Sequence, residues 1–285
     1  MNLFKKKNKA LSEKLHNIET LRRKADHGDR LAQYEIAEHY SHAGDEKEAV
    51  RWYWRAAEQG HAGAQLALGD TYYLCGIGIG ADMEEAAKWV AKAAKQGHAT
   101  AQDVLGNYYN EGIGVCKDYV VAYAWALLAS INGVSELKEE LLPTLPAKEI
   151  GAGECILGTW YFNGDGVLKD LGEAVKWFRS AAEKGDSAAQ SRLSHCYFNG
   201  IGTGKDDVQA YAWAKLASFN GDIHKDDDFT NKMDSESIAT GEALLGMFFL
   251  DGTGVQRNYT EALKRFHAAA KKDHAGAKYN IGECF

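Results

Sequence analysis

Proline is almost missing: the 285 residues hold 2, Pro143 and Pro146. A chain with so few forced backbone breaks suits long, uninterrupted helices. No apolar run approaches the length needed to cross a bilayer. The basic start Met1-Asn2-Leu3-Phe4-Lys5-Lys6-Lys7 has no apolar stretch after it, so no secretory signal is expected and a cytoplasmic location is. Cysteine is sparse as well. Cys75, Cys116, Cys155, Cys196 and Cys284 are odd in number and none stands at C-x-x-C spacing, so reduced, inert thiols are expected. A basic surplus is also lacking. Residues 1–24 carry eight Lys and Arg against Glu13 and Glu19, a balance of +6, which leaves −13 of the total −7 on the remainder. An acidic body argues against nucleic acid, whose phosphates need basic grooves, and suits a neutral or basic protein partner.

What the chain does contain is a returning phrase: Leu-Gly, Tyr, Gly-x-Gly, Trp, Ala-Ala. It stands at Leu68-Gly69, Tyr72, Gly76-Ile77-Gly78, Trp89 and Ala93-Ala94, and returns from Leu105-Gly106, Leu157-Gly158 and Leu245-Gly246. Leu193-Ser194 is a close variant and Ile36-Ala37 a degenerate one. The glycine-equivalent positions 37, 69, 106, 158, 194, 246 and 282 lie 32, 37, 52, 36, 52 and 36 residues apart. Periods of that size mark stacked helical hairpins in which no unit can bury its apolar face alone.

Each unit reads as two helices. Ala64, Leu68 and Tyr72 recur at helical spacing and line one face of the first. Gly69 falls inside that helix, where glycine costs about 1 kcal/mol against alanine, so its recurrence predicts a close helix–helix approach. The second helix starts at Asp82-x-x-Glu85, a capping-box pattern repeated at Asp45-x-x-Glu48, Asp170-x-x-Glu173 and Asn258-x-x-Glu261. It buries Ala86, Trp89, Ala93 and Ala94.

These phrases, with His61-Ala62-Gly63-Ala64-Gln65, Gly112-Ile113-Gly114-Val115, Gly164-Asp165-Gly166-Val167 and Gly252-Thr253-Gly254-Val255, resemble the Sel-1-like repeat family, a relative of tetratricopeptide repeats. The resemblance covers most of residues 30–285. It implies an all-α fold, an α/α superhelix (solenoid) of about six helix-turn-helix repeats with capping helices. It also implies protein–protein interaction without a catalytic residue, often as an adaptor. The expected organisation is a basic arm and capping helix at 1–25, with Leu11, Leu15 and Ile18 as its stripe. Units follow at 26–60, 61–97, 98–150, 151–185, 186–238 and 239–274, then a terminal helix at 275–285. The first unit lacks the Gly-x-Gly loop. The two longer units, across which the glycine-equivalents lie 52 residues apart, both carry Ala-Tyr-Ala-Trp, at 122–125 and 210–213, and each has room for an extra helix, over 134–150 and 222–238.

Other chemistry is weighed and set aside. Gly200-Ile201-Gly202-Thr203-Gly204-Lys205 lacks the Ser or Thr after Lys, and the preceding strand, that a phosphate loop needs. Ser135-x-x-Lys138 has no companion element. His39-x-x-His42 and His195-Cys196 lack further ligands, and His61, His98 and His274 open their units in one phrase and read as structural. No catalytic set, metal or cofactor is expected, and no enzymatic activity.

If tetratricopeptide geometry transfers, first-helix residues three before, one after and four after each glycine-equivalent face the concave groove. These are Tyr34, Glu38 and Ser41; Leu66, Asp70 and Tyr73; Asp103, Asn107 and Asn110; then Thr159 and Phe162, His195 and Phe198, Met247 and Leu250, and Tyr279. Such a mixture of aromatic, acidic and amide groups suits a protein interface. The competing expectation is that Phe162, Phe198 and Leu250 pack on a neighbouring helix. Two alternatives to a general scaffold stand beside it. One is a dedicated immunity-type inhibitor neutralising a toxic bacterial effector. The other is a membrane-surface regulator acting through Phe4 and the basic arm, against which a soluble tail is preferred.

Overall fold

The computed structural model describes residues 18–74, 81–221 and 230–283, and every regular element among them is helical. Residues 18–26 form α1. The chain continues as α2 (Arg30–His42), α3 (Glu46–Glu58), α4 (Ala62–Tyr73), α5 (Met83–Lys95), α6 (Ala99–Glu111), α7 (Tyr119–Ile131) and α8 (Glu136–Leu141). It ends with α9 (Ala147–Asn163), α10 (Leu171–Glu183), α11 (Ser187–Asn199), α12 (Asp207–Phe219), α13 (Ser235–Asp251), α14 (Tyr259–Ala270) and α15 (Ala275–Glu283). Two compact units result. The first holds the described residues up to Asp118 with Ala129–Ser135; the second holds Tyr119–Leu128 and the described residues from Glu136 on. Leu11, Leu15, the Gly76-Ile77-Gly78 turn and residues 222–229 of the second insertion lie outside the described residues.

In the first unit α2 pairs with α3 and α4 with α5, while α3 packs on α4 and α5 on α6. In the second, α9 pairs with α10, α11 with α12 and α13 with α14, and each second helix packs on the first helix that follows. Half of each capping box forms: the N-cap side chain accepts as its sequence predicts, while the N-cap N–H donates to a carbonyl of the preceding helix and not to the glutamate. Asp45, Asp82, Asp170 and Asn258 accept hydrogen bonds from the backbone N–H of Glu48, Glu85, Glu173 and Glu261, at 3.3, 3.1, 3.0 and 3.0 Å. Asp206 does the same for Gln209, at 2.9 Å.

The first helices start differently. Asp29 and Asp186 cap α2 and α11, but α4, α6 and α15 begin with a histidine whose Nδ1 accepts a backbone N–H. His61, His98 and His274 take those of Ala64, Ala101 and Ala277 at 3.2, 3.3 and 3.0 Å. Only a neutral imidazole can accept there. The His61 pKa is lowered, first by burial and then by Arg30 and His98. Its cap therefore contributes above the unfolded value of about 6.5 and is lost as pH falls through that value toward the folded one. His61→Asp, which supplies an acid-tolerant cap, is expected to reduce the stability lost between pH 7 and 5 in urea unfolding. An unchanged loss would show that the cap does not titrate.

The in-helix glycines mark close approach. A Cβ on Gly69 would overlap Val90, and on Gly158 and Gly246 it would lie 2.8 and 2.6 Å from the rings of Phe178 and Phe266. Those rings are almost fully buried. The two Ala-Tyr-Ala-Trp segments use the same device one helix later. Tyr123 lies against Gly153 and Tyr211 against Gly241, at 2.8 and 2.6 Å from a Cβ placed there. Trp125 and Trp213 then meet Trp160 and Phe248, with ring centroids 4.4 and 4.6 Å apart.

The first insertion forms α8, which buries Leu137 and Leu141 but leaves Leu142 exposed. In the second, Met233 is buried. The helices that follow, α9 and α13, run 17 residues where α11 runs 13. They begin at Ala147 and Ser235, four residues ahead of the starts drawn from sequence at 151 and 239. In the sixth repeat the turn after α13 returns to the corner where α10 ends. The Gly254 N–H donates to the Glu183 carbonyl (3.0 Å), and its carbonyl accepts from the side-chain amides of Gln190 and Asn220, both at 2.8 Å.

Candidate protein-binding face

In the first unit the sequence-selected residues gather in two groups. On α2, Tyr34 is half-buried and its ring stacks on His61, centroids 4.3 Å apart. Glu38, one turn on, accepts the hydroxyl of Tyr53 at 2.5 Å. Burial, then that carboxylate, pushes the Tyr53 phenol far above its ordinary range. Ser41 is half-buried at the end of the same helix.

The second group lies on α4 and α6. Leu66 is half-buried, Asp70 exposed, and Tyr73 is 39 % exposed with its ring stacked on Tyr108 at 5.9 Å and 27°. The Asp70 carboxyl is raised by partial burial alone, because neighbouring protein crowds it even though it reaches solvent. Tyr108 is pushed up to about 12, by burial first and then by Asp70 and Tyr73. On α6, Asp103 and Asn110 are buried, and the Asn110 amide donates to Glu111 at 2.9 Å. The Asn107 amide turns back to the carbonyl of Asp103 at 3.3 Å.

In the second unit the same register is largely apolar. Phe162, Phe198, Met247 and Leu250 are half-buried against the hydrophobic core, Phe162 with its centroid 6.4 Å from that of Phe178. Lys169 and Lys205 place their ammonium groups 5.9 and 5.3 Å from the rings of Phe162 and Phe198. The Thr159 hydroxyl donates to the Cys155 carbonyl (2.8 Å), His195 is exposed, and Tyr279 is 67 % exposed.

Three contributors lie off the register that the sequence pattern picks out. Tyr53 sits on a second helix and His61 at an N-cap, both outside the first-helix positions. Tyr108 stands two residues after its glycine, whereas the pattern's tyrosine is its neighbour Tyr109.

Among the described residues the reactive side chains do not converge. Among the described residues no group of three His, Cys, Asp or Glu could hold a metal. His195 is exposed while adjacent Cys196 is buried, so the pair does not share a face of α11. Burial pushes the thiols of Cys155 and Cys196 up to about 12 and about 11. Thiols held so high are poor nucleophiles. Lys205, at the end of the glycine loop, pairs with Asp207 at 3.3 Å. A cavity of about 400 Å³ between α10 and the Gly202-Thr203 turn is lined by Lys176, Arg179 and Glu183. Its cations are engaged, Lys176 with Glu173 at 2.5 Å and Arg179 with the Tyr197 hydroxyl.

The family model for the Sel1 repeat matches six times, at residues 30–61, 62–98, 99–134, 152–186, 187–222 and 239–274. The chain belongs to the Sel1 repeat family, whose members generally serve as protein–protein interaction scaffolds. Among solved structures it is similar to c5321, a protective antigen of uropathogenic Escherichia coli strains, at 29% identity with a TM-score of 0.39. That alignment covers 93% of this chain and 51% of the antigen, so this chain spans about half of that protein's length. A Sel1 repeat protein from Oxalobacter formigenes is 30% identical, with 85% of each chain covered and a TM-score of 0.35. One from Klebsiella pneumoniae subsp. pneumoniae is 19% identical, covering 93% of this chain and 97% of its own, also with a TM-score of 0.35. No curated protein matches the chain.

Proposed function

We propose that this chain is a non-enzymatic cytoplasmic scaffold that binds a partner protein through the groove-facing side of its first helices. The observation that carries this reading is the exposed carboxylate and aromatic surface of α4, where Asp70 and Tyr73 reach solvent and Tyr73 is stacked on the buried Tyr108. Interfaces concentrate their affinity in such tyrosines, backed by polar groups that set register. The acidic body favours a basic partner by long-range attraction.

Co-purification of the full chain from its native cells, read by mass spectrometry, tests the reading. Tyr73→Ala and Phe162→Ala are each expected to lower recovery of the partner about tenfold or more, the loss of ~1.4 kcal/mol or more that an anchor produces. Unchanged recovery with both variants would remove these residues as anchors. A single tight one-to-one complex identifies a dedicated inhibitor of one effector; several weaker partners identify an adaptor.

A further inference from the structure

We infer that Asp70 and Tyr73, with the buried Tyr108 packed behind them, form a seat for an arginine side chain presented by the partner, an inference that rests on the scaffold reading above. Asp70 and Tyr73 lie one turn apart on α4 and so share a face. Tyr108 packs behind them from α6, itself buried, its ring stacked on Tyr73 and its phenol close enough to feel the Asp70 charge. Beyond them Leu74 is 71 % exposed and offers an apolar surface to an aliphatic stem.

In the six two-helix repeats the position one residue after the glycine-equivalent is filled in order by Glu38, Asp70, Asn107, Thr159, His195 and Met247. Only the first two are carboxylates, and Glu38 is already engaged by the Tyr53 hydroxyl. Asp70 has neither an ion pair nor a side-chain hydrogen bond among the described residues, and neighbouring protein crowds it with no cation to offset the lost hydration. A carboxylate in that state favours an incoming cation. Its neighbours select which one. A guanidinium lays its plane on an aromatic face while its fork meets a carboxylate at two points, whereas an ammonium acts as a single strongly hydrated point. The exposed Tyr73 ring, held by the buried Tyr108 and standing beside one free carboxylate, matches the former.

The test is a titration of the isotope-labelled full chain with the peptide Ac-Ala-Ala-Arg-Ala-Ala-NH2, followed by NMR at the Asp70 carboxyl and the Tyr73 and Tyr108 rings. Saturable shifts at all three are expected. The citrulline peptide, which keeps the shape and loses the charge, is expected to bind ~10-fold or more weakly, and the lysine peptide more weakly than arginine. Asp70→Asn is expected to reduce arginine-peptide binding to the citrulline level; Asp70 is exposed, so the fold is spared. Equal binding of the arginine and citrulline peptides, absence of shifts, or full affinity in Asp70→Asn would each overturn the seat. A partner recovered equally well with Asp70→Asn would overturn the seat and leave the scaffold standing. An arginine peptide that binds as described to a chain recovering no partner would do the reverse.

Discussion

Gly114→Ala and Gly202→Ala are each expected to destabilise the chain by about 2–4 kcal/mol, while Gly133→Ala costs only about 1 kcal/mol. All three glycines have a positive φ, of 64°, 69° and 96°. The left-handed backbone penalty for an L side chain is therefore common to them. What differs is the space. A Cβ on Gly114 would overlap the carbonyl of Met83, and one on Gly202 the carbonyl of Leu171, whereas a Cβ on Gly133 meets nothing within 4 Å. Met83 and Leu171 are the first residues of α5 and α10, so the second glycine of each loop is where that turn lies on the preceding hairpin. Backbone cannot swing aside as a flexible side chain can, so each variant must push neighbouring repeats away from one another. Urea unfolding, with amide exchange at Glu84 and Glu85 to report the first turn of α5, reads the effect. Equal costs for Gly114→Ala and Gly133→Ala would show that the loop glycines serve turn geometry alone.

Much of this was legible because it is local. Capping boxes, the in-helix glycine and the spacing of Leu, Gly and Tyr depend on residues within a few positions of one another, and Asp82, Gly69 and Trp89 behave as their patterns dictate. The face was less legible. Asp103 and Asn110 obey the same register as Asp70 and Tyr73 yet are buried. Register fixes where a side chain leaves its helix, and the next element decides whether solvent is there. The early starts of α9 and α13 were hidden for a related reason. Pro146 and Asp234 supply extended N-cap residues four positions ahead of the repeat phrase, so the helices lengthen without any change in the phrase.

The residue that closes the phrase Ala-Gly-Ala-Gln carried more information than its place in a motif suggested. Gln33, Gln65, Gln102 and Gln190 each donate Nε2 to a carbonyl eight residues earlier, of Ala25, Ala57, Ala94 and Ala182, at 3.0, 3.0, 3.1 and 3.0 Å. Each also accepts at Oε1 from the amide of Gln59, Gln96, Asn132 or Asn220, at 2.6, 2.7, 2.8 and 2.9 Å. The two units after the insertions carry Glu154 and Glu242 instead, and there donors face the carboxylates. Lys184 reaches Glu154 at 2.9 Å, and Glu242 takes the Tyr211 hydroxyl at 2.5 Å, with Arg265 at 3.5 Å. An amide stands where a carbonyl must be met, and a carboxylate where donors converge.

Gln190→Glu should therefore be severe and should depend on pH. Gln190 is fully buried, and its Nε2 serves the carbonyls of both Ala182 and Gly254. An oxygen in its place can satisfy a carbonyl only as a protonated acid, so the folded state raises the new carboxyl above its unfolded value of about 4.3. The sign follows: the variant keeps most of its stability below that pH. It then loses ~1.4 kcal/mol per unit as pH rises toward the folded value, or about 4 kcal/mol by pH 7. Glu242→Gln is the converse and mild. Its Oε1 still accepts the Tyr211 hydroxyl, and only the contact with Arg265 weakens, so about 1 kcal/mol is expected. Urea unfolding of both variants between pH 4.5 and 8 separates the cases. A penalty for Gln190→Glu that stays flat across that range would mean the paired carbonyls do not confront the side chain, and the division between amide and acid repeats would lose its physical basis.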